Sequence, residues 1–266
     1  MSGVKGSVTP PPAVPPNVLF EALLRLGDDR LVLGHRVSQW CGHGPILEED
    51  IALANIALDL VGQATMLLHL AGEVEGAGRD EDALAYFRDE IHFRNCLLVE
   101  QPNGDFGVTI VRQFLFDVYS VVMFDALARS AHPELAAIAA KALKEVKYHL
   151  RHSGDWLLKL GDGTIESHDR VQRALNTLWR FTPELFAADD IDRAALAAGI
   201  GPDLSAMQAQ WISIVRDVVE RATLAMPPDV PLRAGRTARQ GAHSEHLGHM
   251  LAEMQIVARS HPGAQW

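Results

Sequence analysis

The stretch Leu47-Glu-Glu-Asp-Ile-Ala-Leu-Ala-Asn-Ile-Ala-Leu-Asp-Leu-Val-Gly-Gln63, continued by Ala-Thr-Met-Leu-Leu-His-Leu70, decides the fold. Glu48, Glu49 and Asp50 stand at its start, where negative charge meets the positive end of a helix dipole. Behind them Ile51, Leu53, Ile56, Leu58, Leu60 and Val61 cover most of the circumference of a helix with 3.6 residues per turn. The pattern predicts a helix over 47–70 that lies centrally among others. Asn55, Asp59 and Gln63 interrupt it at a spacing of four, so they form either a solvent-facing stripe or a polar line inside a bundle.

The same period extends outward from this segment. Short helices are predicted over 18–27 and 31–41, and the breaker Cys41-Gly-His-Gly-Pro45 follows them. Helices are predicted over 82–100, 108–129 and 133–160, the last with Pro133 in its first turn. Ser167 can cap a helix to about 181, and shorter pieces follow over 190–200, 204–224 and 243–259. The result is an all-α, ferritin-like helical bundle: four long helices with smaller flanking ones, in one domain over 18–266. The five prolines between Pro10 and Pro16 make residues 1–17 a disordered, proline-rich tail.

Composition agrees. The 266 residues include 35 Ala and 33 Leu, strong helix formers, and only 3 Tyr. The net charge of −10 argues against nucleic acid and against an anionic membrane surface as partners. Two cysteines make no disulfide framework, and the first 18 residues hold no apolar core of signal-peptide length. No run of 18 apolar residues occurs, which predicts no membrane span and a cytoplasmic chain.

Polar residues inside the apolar stretches of the long helices are the candidate site: Asp59, then Asp89 with His92, then Asp117, then Glu145. Asp89 and His92 stand three apart and would share a helix face. The order echoes the di-iron plan of ferritin-like bundles, in which two helices each give a carboxylate and two give Glu-x-x-His. Two hard iron ions need bridging carboxylates, with a His to complete each shell. The match is damaged. Three of the four carboxylates are the shorter Asp, and the fourth helix has Tyr148 where the His should stand, with His149 one place further on. Three explanations stay open: a vestigial site that binds no metal, a chance alignment of polar residues, or an occupied di-metal site. A vestigial site would need its buried acids paired, with Arg88, Arg94, Arg112, Lys144 and Lys147 as candidates.

Other motifs carry less. His243, His246 and His249 step around the last helix by three and read as surface histidines rather than zinc ligands. The sequence contains no phosphate-binding glycine loop, nucleophile elbow or dinucleotide fingerprint.

Several ordered blocks together resemble one known family. They are Arg25-Leu-Gly-Asp28, Trp40-Cys-Gly-His43, Glu49 to Gln63, Leu98-Val-Glu-Gln-Pro-Asn-Gly104, Ala140 to Arg151, Leu178-Trp-Arg-Phe-Thr-Pro-Glu-Leu-Phe186, His246-Leu-Gly248 and Leu251-Ala-Glu-Met-Gln255. They are similar to the PaaC-type subunits of phenylacetyl-CoA 1,2-epoxidase, a multicomponent monooxygenase of aerobic phenylacetate catabolism. The resemblance runs from about Leu23 to Trp266, and His92 and His249 depart from the usual pattern. It implies a ferritin-like fold, an A-type catalytic partner that holds the di-iron centre, and electrons from NADPH through a separate reductase. It further implies a structural, non-catalytic chain with degraded iron ligands, no catalytic residue and no cofactor of its own. Two alternatives remain: a di-iron oxygenase active in its own right, and a helical metal-storage or scaffold protein. Tyr148 in the His position argues against the first of these.

Overall fold

The computed structural model describes residues 16–264. The expected tail over 1–17 lies outside the described residues except for Pro16 and Asn17, which already begin a helix. Ten α-helices stand among the described residues: α1 (Pro16–Ser38), α2 (Leu47–Glu75), α3 (Glu81–Tyr86), α4 (Leu97–Glu100), α5 (Phe106–Leu127), α6 (Pro133–Gly161), α7 (Ile165–Leu178), α8 (Asp190–Ala197), α9 (Leu204–Arg221) and α10 (Glu245–Ser260). Short 3₁₀ segments stand at Glu90–His92, Trp179–Phe186 and Ala238–Gln240, and no strand occurs among the described residues. The fold is all-α, of the ferritin-like helical-bundle kind.

The four long helices are α1, α2, α5 and α6. Each of the hairpins α1–α2 and α5–α6 packs along its length, and α2 meets α6 to join the two. The segments expected over 18–27 and 31–41 are one helix. Gly27 and Gly34, which look like breakers in the sequence, are notches instead. A Cβ on Gly27 would lie 2.8 Å from the Leu68 side chain, and one on Gly34 would lie 3.0 Å from Val61, so both glycines let α1 and α2 approach closely.

The centre of the molecule is α5, not α2. Nearly every α5 residue from Gly107 to Phe124 is buried. It is wrapped by α6, α7, α9 and α4. Trp211 on α9 stacks on Trp179 at 5.5 Å and donates its indole N–H to the Leu115 carbonyl at 3.0 Å. By length and composition α2 and α5 are each apolar enough to cross a bilayer. In α5 the apolar window is 83% buried inside the protein, as a core helix requires, whereas in α2 it is 44% buried.

The helix expected over 82–100 does not form as one element. After α3 the chain runs through the turn at Glu90–His92 and an extended stretch to α4. Buried carboxylates from elsewhere capture backbone N–H groups along this stretch. Asp28 accepts from Arg94 N at 2.8 Å, Asp29 from Cys96 N at 2.8 Å, and Glu184 from Leu97 N at 2.7 Å. These charged acceptors replace helical bonds that local propensity alone favours.

Candidate functional site

The geometry divides the five expected site residues. Asp89 and His92 flank the 3₁₀ turn on the surface. The Asp89 side chain is 72% exposed and pairs with Arg259 at 3.1 Å, and His92 is exposed. With no helix there, the spacing of three no longer puts them on one inward face. Their place among the four long helices belongs to α1.

Of the other three, Asp59 meets His149 directly, Asp117 lies within its electrostatic reach, and Glu145 stands further along the same seam. On α2 the polar residues at spacing four advance about 40° per step. Asn55 accordingly faces outward, Asp59 sits at the rim and Gln63 is buried. Asp59 Oδ2 lies 3.0 Å from Nε2 of the fully buried His149. Gln63 Nε2 donates to Glu145 Oε2 at 2.9 Å, one turn further along the same seam. At the other end His152 Nε2 meets Glu49 Oε2 at 2.7 Å. It is thus His149, not Tyr148, that turns inward, and Tyr148 is 56% exposed.

Deeper in, Asp117 accepts the Ser153 hydroxyl at 2.7 Å. Burial pushes its carboxyl up to about 6, against the opposing pull of His149, Ser153, His152 and Arg30. From α1 the fully buried Arg30 guanidinium reaches the same interior. It lies 4.5 Å from the Phe124 ring centroid and 5.2 Å from that of Phe116, and donates to Ser120 Oγ at 3.3 Å. Burial lowers its pKa. This donor set does not fit two iron ions. The carboxylates are engaged in pairs with His, Gln and Ser, and the remaining helix contributes a cation instead of a bridging acid. Among the described residues no group of three or more His, Cys, Asp or Glu side chains converges.

A second polar constellation, missed in the sequence, ties the chain together at α1. Asp28 is held by the Arg88 guanidinium and Asp29 by Arg239; the first three are buried and Arg239 is nearly so. Arg25 pairs with Asp189 and Asp192 at the start of α8. On the far side, Glu100 is fully buried. Its carboxylate receives Asn95 Nδ2 at 2.9 Å and the Ser244 N–H and hydroxyl at 2.8 and 2.6 Å, and His243 Nδ1 stands 2.6 Å away. Nε2 of His243 faces the Phe93 carbonyl at 3.0 Å. His243 is therefore a buried anchor ahead of α10 and not a surface histidine. The available signal was charge repeating on one helix face: Arg25, Asp28, Asp29 and Arg36 share the face of α1 turned away from its leucines, and that face is buried as well.

Comparison with known proteins agrees with this architecture. Residues 8–266 match the family described as Phenylacetic acid catabolic protein (PaaA_PaaC). The chain is 52% identical over 250 residues to the C-type subunit of the 1,2-phenylacetyl-CoA epoxidase of Escherichia coli (strain K12), covering 94% of this chain and 100% of that protein. The chain therefore belongs to the family of phenylacetic acid catabolic proteins.

Proposed function

We propose that this chain is the structural, non-catalytic subunit of a multicomponent phenylacetyl-CoA 1,2-epoxidase in aerobic phenylacetate breakdown. In this reading it works in the cytoplasm, binds no iron and supports an A-type partner that holds the di-iron centre. Electrons come from NADPH through a separate reductase. The assignment to the epoxidase rests on the 52% identity to a C-type epoxidase subunit along that protein's whole length. The observation that carries the non-catalytic role is Arg30, a buried cation pointed into the interior where two iron ions would need carboxylates.

The test has two parts. The chain purified from iron-rich medium is expected to hold well under one iron per molecule. Co-expression is expected to make the A-type partner soluble and active, while this chain alone turns over no phenylacetyl-CoA. Near-stoichiometric iron with a di-ferric absorption band would refute the non-catalytic role. A partner that epoxidises at full rate and stays soluble by itself would refute the supporting one.

A further inference from the structure

A cavity of about 60 Å³ lies where α1, α5 and the α8–α9 connection meet. Tyr119, Met123 and Leu127, spaced by four along one face of α5, form one wall. Leu26 of α1, Leu135 of α6 and Ile200 complete an apolar lining. The half-buried Ala22, Asp192, Gly201 and Pro202 mark where it meets solvent. Asp59, Asp117, Glu145 and His149 take no part in its walls, so it is separate from the seam between α2 and α6.

The inner end of the cavity is polar. Tyr119 is 3% exposed, and its hydroxyl has no hydrogen-bond partner among the described residues. Burial raises the phenol pKa, so the hydroxyl keeps its proton and can donate or accept. Arg25 lines the same end, and its buried Nε–H also lacks a partner. Buried donors left unpaired are costly, so both groups call for an oxygen at this end. The charges there are already matched. Arg25 pairs with Asp189 and Asp192, Arg239 pairs with Asp29, and the Glu184 carboxylate accepts from Leu97 N and Ala238 N. A charged molecule would arrive with no free counter-charge, which selects a neutral occupant.

Size and lining narrow the class. At roughly 10–15 Å³ per water, the cavity has room for about four to six waters, or for one molecule of about as many non-hydrogen atoms. A buried water needs about two to four polar partners, so the two unpaired groups satisfy about one water. The rest of the lining is apolar and favours hydrocarbon. We propose that this cavity binds a small uncharged molecule with an apolar body and a single hydroxyl or carbonyl oxygen. The oxygen meets Tyr119 and Arg25, and the hydrocarbon lies against Met123, Leu127 and Leu135. The inference goes beyond the subunit reading and does not depend on it. Because the walls come from α1, α5 and the α8–α9 connection, the bound molecule braces the flanking helices on the bundle and stabilises the folded chain by mass action.

The experiment titrates the full chain with n-butanol and, as a charged probe of similar length, with butyrate, and reads binding by saturation-transfer NMR. The variants are Tyr119→Phe, which removes only the hydroxyl, and Ala22→Leu, which fills the mouth, each checked for melting. The parent is expected to bind n-butanol saturably and at least about tenfold more tightly than butyrate, as an unmatched buried charge demands. Tyr119→Phe is expected to weaken n-butanol by about threefold to tenfold, the worth of one neutral hydrogen bond. Xenon, which needs only the apolar walls, is expected to occupy the cavity equally in crystals of the parent and of Tyr119→Phe. Ala22→Leu is expected to abolish n-butanol binding. No saturable binding by the parent, with crystals holding only water in the cavity, overturns the proposal. Butyrate that binds as tightly as n-butanol overturns the neutral class. A folded Ala22→Leu chain that binds like the parent overturns the location, and a folded Tyr119→Phe chain that does so overturns the role of the hydroxyl.

Discussion

The Arg239 guanidinium donates two parallel hydrogen bonds to the Asp29 carboxylate, at 2.9 and 2.8 Å, across 210 residues of sequence. Asp29 is fully enclosed and Arg239 nearly so. The same guanidinium also donates to the carbonyls of Arg25 and Arg94, and Asp29 accepts from Cys96 N. One ion pair thereby joins the first helix, the irregular stretch before α4 and the loop before α10. Burial lowers the pKa of a lone guanidinium, but Asp29 beside it holds that of Arg239 well above its ordinary value.

Breaking that pair from one side leaves a buried charge uncompensated. Arg239→Ala is expected to cost about 3–5 kcal/mol, and Asp29→Ala a similar amount. The double variant should lose less than the sum, because neither member of this pair is then left without the other, while Arg30, 3.6 Å from Asp29, loses that carboxylate in both Asp29 variants alike. Urea unfolding of the four chains of this cycle measures it, and strictly additive losses would sink the account.

Asp117 predicts a pH dependence. Its carboxyl, raised to about 6 by burial, is neutral at acid pH and must ionise inside the bundle as pH rises. For an acid raised in the folded state, the stabilising contribution is fully present below the ordinary carboxylate pKa. It is lost as pH climbs through about 6. His149, His152, Arg30 and the Ser153 hydroxyl favour the charged form and limit the loss. Asp117→Asn cannot ionise, so its stability relative to the parent should improve by roughly 2–3 kcal/mol between pH 4 and 7. Parallel stability curves for the two chains would count against this.

Two glycines of α2 should respond oppositely to the same change. A Cβ on Gly72 would overlap the Arg79 carbonyl oxygen, a backbone atom that cannot swing aside. Gly72→Ala is therefore expected to lower the melting temperature. Gly62→Ala meets nothing and gains helix propensity, which should stabilise the isolated chain by about 0.5–1 kcal/mol. Thermal melts of both variants decide it.

The two thiols should separate by reactivity. Cys41 is exposed, whereas Cys96 is buried and its thiol pKa is pushed well up, mainly by burial with Asp29 adding to it. A disulfide reagent should titrate one thiol in the native chain and both after denaturation. Rapid reaction of both thiols in the native protein would contradict the packing around Cys96.

Local pattern suffices for the helices whose apolar residues keep a 3.6 period over many turns. In this chain α2, α5, α6, α7, α9 and α10 all stand within a few residues of where periodicity and caps place them. The blocks from Arg25 to Gln255 likewise suffice to point to the family. Asp59, Asp117 and Glu145 are legible as a polar line because they interrupt otherwise apolar helices. Which helices form the bundle is settled only by contacts between distant parts of the chain, and these put α1 where 82–100 was expected. The competing bonds come from far away: Asp28, Asp29 and Glu184 lie 66, 67 and 87 residues from the N–H groups they capture, and no local window contains both partners. The partial cover of α2 has the same origin, since the pattern on one helix states how much surface must be buried and not which chain buries it.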